Sequence, residues 1–126
     1  MYCIPIPVIL SRYISYKWKI FPIYAPIQNK CSCNNPNCSS PVKRPIISDF
    51  FRSATDNLST IQFGLKQYPL CNWAITTGRS SNLIVVDVDL NKNDRESIKS
   101  LKMPITYTVL SGNGYSLLPY FSTRIP

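Results

Sequence analysis

The chain has 126 residues, 14 of them Lys or Arg against 6 Asp or Glu, a formal charge of +8, and it contains no histidine. A single modest core is expected at this length, which excludes a two-domain enzyme, and an apolar fraction of 44% with 12% aromatic residues excludes a disordered chain. The missing histidine removes Ser-His-Asp and Cys-His mechanisms and any His-ligated zinc, so chemistry must rest on carboxylates, thiols, Lys and Arg.

In chain order, the apolar run Met1–Leu10 carries Pro5 and Pro7 but no basic flank and no small-residue cleavage site, so no signal peptide is expected. Nothing approaches the roughly 20 apolar residues of a membrane span, and the expected compartment is the cytoplasm. Val8–Ser15 suits a short helix that the two prolines keep from starting earlier. Trp18–Tyr24 alternates Trp18, Ile20 and Pro22 with Lys19, Phe21 and Ile23, as a strand does. Residues 29–45 read as a loop dense in Asn, Ser, Pro and Cys.

Asp56 or Asn57 caps a predicted helix in which Leu58, Ile61, Leu65 and Tyr68 recur at helical spacing before Pro69 stops it. Trp73–Thr76 is a short predicted strand and Gly78–Ser81 a turn. The run Leu83–Asp89 is apolar and β-branched, typical of a strand buried on both faces. Asn93 or Asp94 is placed to cap a helix through Lys102, and Ile105–Leu110 reads as a strand entering the Ser111-Gly-Asn-Gly114 turn, where Asn-Gly favours a hairpin. After Tyr115 the pattern degrades.

Two clusters carry chemistry. Asp87 and Asp89 are two residues apart in a predicted strand and so share a face. Like charges that close call for a cation or a raised pKa, and Mg²⁺ or Mn²⁺ on substrate phosphates is the natural cation. The bland alternative is a solvated strand end leading to a turn at Asn91. Cys31, Cys33 and Cys38, three of the five cysteines, look more like a metal loop than a disulfide framework, yet they are one ligand short of tetrahedral Zn²⁺. Cys3, Cys71 or water are the options for the fourth position; a metal-free, reduced loop is the alternative.

Lys17, Lys19, Lys43, Arg44 and Arg52 are candidates for phosphate contacts, with plain solvated charge as the alternative. Ser111, Gly112 and Gly114 would let backbone amides approach an anion. Trp18, Phe50, Phe51 and Trp73 read as core rather than as a base-stacking surface.

Several segments in order resemble one family. They are Tyr13-Ile-Ser-Tyr-Lys-Trp-Lys-Ile-Phe-Pro22, then Cys31-Ser-Cys33, Cys38 and Pro41-Val-Lys-Arg-Pro45. Phe50, Ala54-Thr55, Tyr68-Pro69, Asn72-Trp-Ala-Ile, Thr77-Gly78, Val85-Val-Asp-Val-Asp89 and Thr108-Val-Leu-Ser-Gly-Asn-Gly114 follow. Together they resemble the N-terminal domain of bifunctional DNA primase/polymerases, in the archaeo-eukaryotic primase superfamily of plasmid, phage and other mobile-element replication proteins.

The resemblance implies an α/β (α+β) fold: a primase/polymerase-like mixed sheet flanked by helices, here C-terminally incomplete. The implied divisions are an N-terminal segment 1–12, the domain at 13–115 with its cysteine loop at 29–45, and an aberrant tail at 116–126. It implies a DNA template and primer and nucleoside triphosphates as substrates, Mg²⁺ or Mn²⁺ as cofactor, and a helicase domain in full-length relatives. Asp87 and Asp89 would be the catalytic metal ligands, Cys31, Cys33 and Cys38 a zinc-type loop, and Lys43, Arg44, Ser111, Gly112 and Gly114 nucleotide contacts.

Departures from the family pattern are equally specific. Arg44 stands where the family's Gly-Lys-His-Pro has histidine, Ser116 stands where a phosphate-binding histidine is expected, and no Asp or Glu follows Ser116. Reduced or absent catalysis is the expectation. Ser-Leu-Leu-Pro can be encoded as TCA-CTA-CTA-CCT, which read one nucleotide later gives His-Tyr-Tyr-Leu, so a frameshift after Tyr115 that truncated the domain is the expectation. A non-catalytic basic nucleic-acid-binding module with a cysteine loop is the alternative, and a relic that does not fold stably is a third.

Overall fold

A computed structural model describes residues 6–28, 30–39, 43–89, 96, 99–100, 107–111 and 114–118. The chain divides into two compact units, Met1–Thr76 and Thr77–Pro126. Helices and small sheets alternate in the mixed α/β manner expected, and every named strand pair is antiparallel.

In the first unit α1 spans Val8–Ser15 and starts at Pro7, whose fixed φ suits a helix entrance and whose carbonyl accepts from the Ser11 N–H. Its end is a Schellman motif. Lys17 N–H donates to the Ile14 carbonyl and Trp18 N–H to that of Tyr13, with Lys17 in the left-handed region at φ 61°. The apolar contact that accompanies such a cap is present, since the Tyr13 and Trp18 rings lie 5.5 Å apart. The turn buries Trp18 and feeds strand β1 (Ile20–Ile23).

β1 pairs with β4 (Asn72–Ile75), setting Ile20 against Ile75 and Pro22 against Trp73. On that face Leu10 of α1, Ile20 and Ile61 form the buried core, with Tyr13, Ile14, Leu65, Trp73 and Ile75 packed around it. Ile61 belongs to α3 (Leu58–Gln67), whose cap Asn57 accepts the Thr60 N–H through its side chain at 3.0 Å. The predicted spacing holds for Ile61 and Leu65, whereas Leu58 is exposed. Gly64 lets α3 approach the sheet: a Cβ there would sit 2.9 Å from the tip of the Trp73 indole.

Along the other edge of β1 runs the chain from Arg44 to Thr55. The Tyr24 N–H donates to Arg44, Pro45 bridges Ile23, the Ile46 N–H donates to Pro22, and Thr55 and Ile20 exchange both backbone bonds. A short helix α2 (Phe50–Ser53) lies within this run, and the Phe50 ring stands 4.8 Å from that of Phe21. Phe21 is thereby buried on the face of β1 opposite the core. Lys19, at the mouth of the strand, makes a 2.6 Å ion pair with Asp56, whose carboxyl it holds below the usual aspartate range.

In the second unit Gly78 and Leu83 close a loop with mutual backbone bonds, Gly78 adopting φ 81°. Strand β5 covers Val86–Asp89, β6 Tyr107–Ser111 and β7 Gly114–Leu118, in the order β5-β7-β6. The expectation of a strand buried on both faces is not met: Val88 is buried, but Asp87 and Ile84 are exposed. Within the strand Asp87 is exposed between half-buried Val86 and buried Val88, as expected where one face of an antiparallel sheet is solvated, and Ile84 lies before the strand begins. The helix expected from Asn93 or Asp94 through Lys102 falls mostly outside the described residues.

Candidate functional site

The cysteine loop is built by two tight turns in the first unit. Strands β2 (Pro26–Ile27) and β3 (Lys30–Cys31) form a miniature hairpin, with Gln28 at φ 50° as a two-residue connection demands. Cys31 is held opposite Pro26, and the Ser32 N–H donates to the Ala25 carbonyl. Asn34, at φ 61°, bends the chain, and the Asn35-Pro36-Asn37-Cys38 turn returns it. In that turn the Cys38 N–H donates to the Asn35 carbonyl and the Asn37 N–H to the Asn35 side chain. Pro and Asn at these places are the residues such turns select.

The result gathers the Sγ atoms of Cys31, Cys33 and Cys38, all within 4.8 Å of one another and all half-buried. Thiolates around one tetrahedral ion with metal–sulfur bonds of about 2.3 Å stand roughly 3.8 Å apart, so a small inward adjustment suits a thiophilic cation. None of the three forms a disulfide. Cys71 is not in the cluster, and burial pushes its thiol up, away from the ligating thiolate form. Cys3 lies outside the described residues. A groove of about 680 Å³ borders the loop, with Lys30, Cys31, Asn34, Asn35 and Cys38 among its walls.

Lys43 and Arg44 follow the loop as exposed residues, Arg44 anchored by its carbonyl beside Tyr24. Lys19 is paired with Asp56 at 2.6 Å, with both side chains partly exposed. Phe50 and Phe51, read from sequence as core, are exposed at 39% and 56%, because the short α2 applies only one edge of its aromatic pair to Phe21. Trp18 is core as expected.

Asp87 and Asp89 sit on β5 in the second unit, at positions that share a face. The register sets Asp87 opposite Ser116 and Asp89 opposite Gly114, while β6 brings Val109 opposite Ser116 and Ser111 opposite Gly114. Positions Asp87, Asp89, Ser111, Gly114 and Ser116 therefore fall on one face of the sheet, together with Tyr107, Val109 and Leu118. The other takes Val86, Val88, Leu110, Tyr115 and Leu117. Gly112 and Asn113, between Ser111 and Gly114, lie outside the described residues. Pairing continues through Leu118, past the point where the sequence pattern degrades.

The family model of the bifunctional DNA primase/polymerase N-terminal domain matches residues 10–124. The chain belongs to this family. No curated protein and no solved structure gives a significant match. Membership in the primase/polymerase family implies DNA and nucleotide substrates and a dependence on metal ions. No helix among the described residues is long and apolar enough to cross a membrane. Sequence reasoning missed the Asp87–Ser116 pairing and the exposed Phe51. The Asn-Gly signal marks the β6–β7 hairpin, in which Ser116 faces Val109, but it does not contain the pairing of β7 with β5, and no local signal contains the exposure of Phe51.

Proposed function

We propose that this primase/polymerase domain handles nucleoside triphosphates through Asp87 and Asp89, with polymerisation reduced or lost. The observation that carries this reading is the sheet register, which puts both aspartates, Ser111, Gly114 and Ser116 on one face. Two aspartates on one face fit a divalent ion such as Mg²⁺ or Mn²⁺, which when bound neutralises triphosphate charge and activates a primer hydroxyl. Ser111, Gly112 and Gly114 would line the path of the phosphates with backbone amides. Ser116, lacking the ring expected at this position, leaves the triphosphate with less positioning and less charge stabilisation.

Cys31, Cys33 and Cys38 would hold a thiophilic ion such as Zn²⁺ in a structural role, with Lys43 and Arg44 beside the loop contacting nucleic acid or nucleotide phosphates. The context is replication of a mobile element such as a plasmid or phage, with a helicase domain in a longer relative. A frame change after Tyr115 accounts for Ser116. The nucleotide sequence of codons 115–119 and beyond tests it: codons for Ser-Leu-Leu-Pro that do not give His-x-Tyr one nucleotide later, or no primase-like frame downstream, rule it out.

Primer synthesis and primer extension with Mn²⁺ test the catalytic reading. Weak or no product, together with Mn²⁺-dependent nucleotide binding that Asp87→Asn abolishes, is expected. Robust synthesis by the chain would refute the loss of catalysis, and nucleotide binding indifferent to Asp87→Asn would refute the metal site.

A second reading, a nucleic-acid-binding module without nucleotide chemistry, is favoured by charge distribution. Residues 1–76 carry 8 Lys or Arg against 2 Asp, whereas residues 77–126 carry 6 against 4 acidic residues. Salt-sensitive DNA binding that survives alanine at both Asp87 and Asp89 would support it.

A further inference from the structure

The run from Lys43 to Arg52 combines features that neither the metal site nor the core uses. It lies along the edge of β1 away from β4, fixed to it by the Tyr24–Arg44 and Ile46–Pro22 backbone bonds and by the Ile23–Pro45 bridge. Arg44 is tied beside Tyr24, and Phe50 packs on Phe21, three residues earlier in the strand, so about 10 Å separates the two anchor points. Between and around these anchors Lys43, Arg44 and Arg52 are exposed, Arg52 meeting Asp49 only at 4.0 Å with both side chains largely in solvent. Phe51 is 56% exposed, on a helix whose neighbouring Phe50 contacts the Phe21 ring of β1 at 4.8 Å.

An aromatic ring kept in water on a rigid base, flanked by cations, matches the chemistry of single-stranded nucleic acid. The bases stack on the ring and the phosphates meet the basic side chains. Duplex DNA presents its base faces to its own neighbours and offers no such stacking partner. Charge complementarity argues for the polyanion as occupant, because this unit holds most of the positive excess.

We propose that Phe51, with Lys43, Arg44 and Arg52, forms a stacking and phosphate-contact surface for a single-stranded DNA or RNA segment along the outer edge of β1. The proposal deepens the nucleic-acid reading and does not depend on metal at Asp87 and Asp89.

The test is fluorescence anisotropy of a labelled oligothymidylate of about 12 nucleotides, within the usual span of such sites, with the full chain and no added Mg²⁺, Mn²⁺ or chelator. Phe51→Ala and Phe51→Leu are expected to weaken binding about 5-fold or more, while Phe51→Tyr retains it, because stacking needs the π-face and not apolar bulk. Arg44→Ala and Lys43→Ala are expected to weaken binding at low salt and each to lower the slope of log K against log salt by about 0.7. Phe51→Ala should leave that slope unchanged. Circular dichroism melting checks that each variant folds, as an exposed side chain predicts.

Wild-type affinity in both Phe51→Ala and Phe51→Leu, or a preference for duplex that Phe51 does not affect, would overturn the proposal. Asp87→Asn in the same assay keeps the two readings apart. Its binding should equal that of the wild type here even if it destroys Mn²⁺-dependent nucleotide binding.

Discussion

Asp87 on β5 and Ser116 on β7 occupy directly facing register positions in an antiparallel pair. Facing positions in such a pair lie about 5 Å apart and belong to one side of the sheet. The residue that departs from the family pattern therefore stands across from the first aspartate of the proposed metal site. Ser116→His is expected to raise Mn²⁺-dependent nucleotide affinity about 10-fold, the effect of one hydrogen bond to a charged phosphate. Titration with a fluorescent nucleotide analogue measures it, and an unchanged affinity would remove position 116 from the nucleotide site.

The three gathered thiols make a prediction that needs no nucleotide. Titration with Co²⁺ should give one bound ion with a thiolate-to-metal absorption band, diminished by Ser at Cys31, Cys33 or Cys38 and indifferent to Cys71→Ser. Binding should weaken as pH falls, because each thiol must lose its proton to ligate. A spectrum that depends on Cys71 would mean that the loop rearranges on binding.

Lys17 occupies a left-handed position that glycine normally fills at the end of a helix. Lys17→Gly should stabilise the first unit by about 0.5–1 kcal/mol, the relief of Cβ crowding exceeding the extra entropy of the unfolded chain. Chemical denaturation reads this as a higher midpoint at constant slope.

Gly64 predicts the opposite sign for the opposite exchange. Alanine would add up to about 1 kcal/mol of helix propensity, but its Cβ would press on the Trp73 ring, and overpacking of this kind costs about 1–3 kcal/mol. A net loss of stability is expected, with a change in Trp73 fluorescence; a gain would show that the indole yields freely.

The Lys19–Asp56 pair gives a pH dependence. The Lys19 hydrogen bond lowers the folded Asp56 below its unfolded value. Its stabilisation is therefore present in full above the ordinary aspartate pKa of about 3.9 and is lost as pH falls through the lower folded value. Both side chains are partly solvated, which limits the contribution to about 1 kcal/mol. Asp56→Asn should lose that amount at pH 7 and should show a flatter acid limb than the wild type in denaturation followed from pH 6 to pH 2.

The sequence alone determined what is decided within a few residues. Asn57 and Pro69 bound α3 because a cap and a missing N–H act locally. Pro7 opens α1, the Asn-Pro-Asn turn draws Cys38 back toward Cys31 and Cys33, and Asp87 and Asp89 share a face because strands alternate. The absence of histidine, together with the family pattern, already marked Arg44 and Ser116 as departures.

Tertiary structure decided what depends on partners distant in the chain. Facing of Asp87 by Ser116 follows from strand register, which the hairpin turn and the burial of Val88 select together. Lys19 is paired with Asp56, 37 residues away. Phe50 meets the Phe21 ring and stays 39% exposed while Phe51 is 56% exposed, a distinction that two adjacent identical residues cannot express before β1 supplies Phe21 as a contact for one of them.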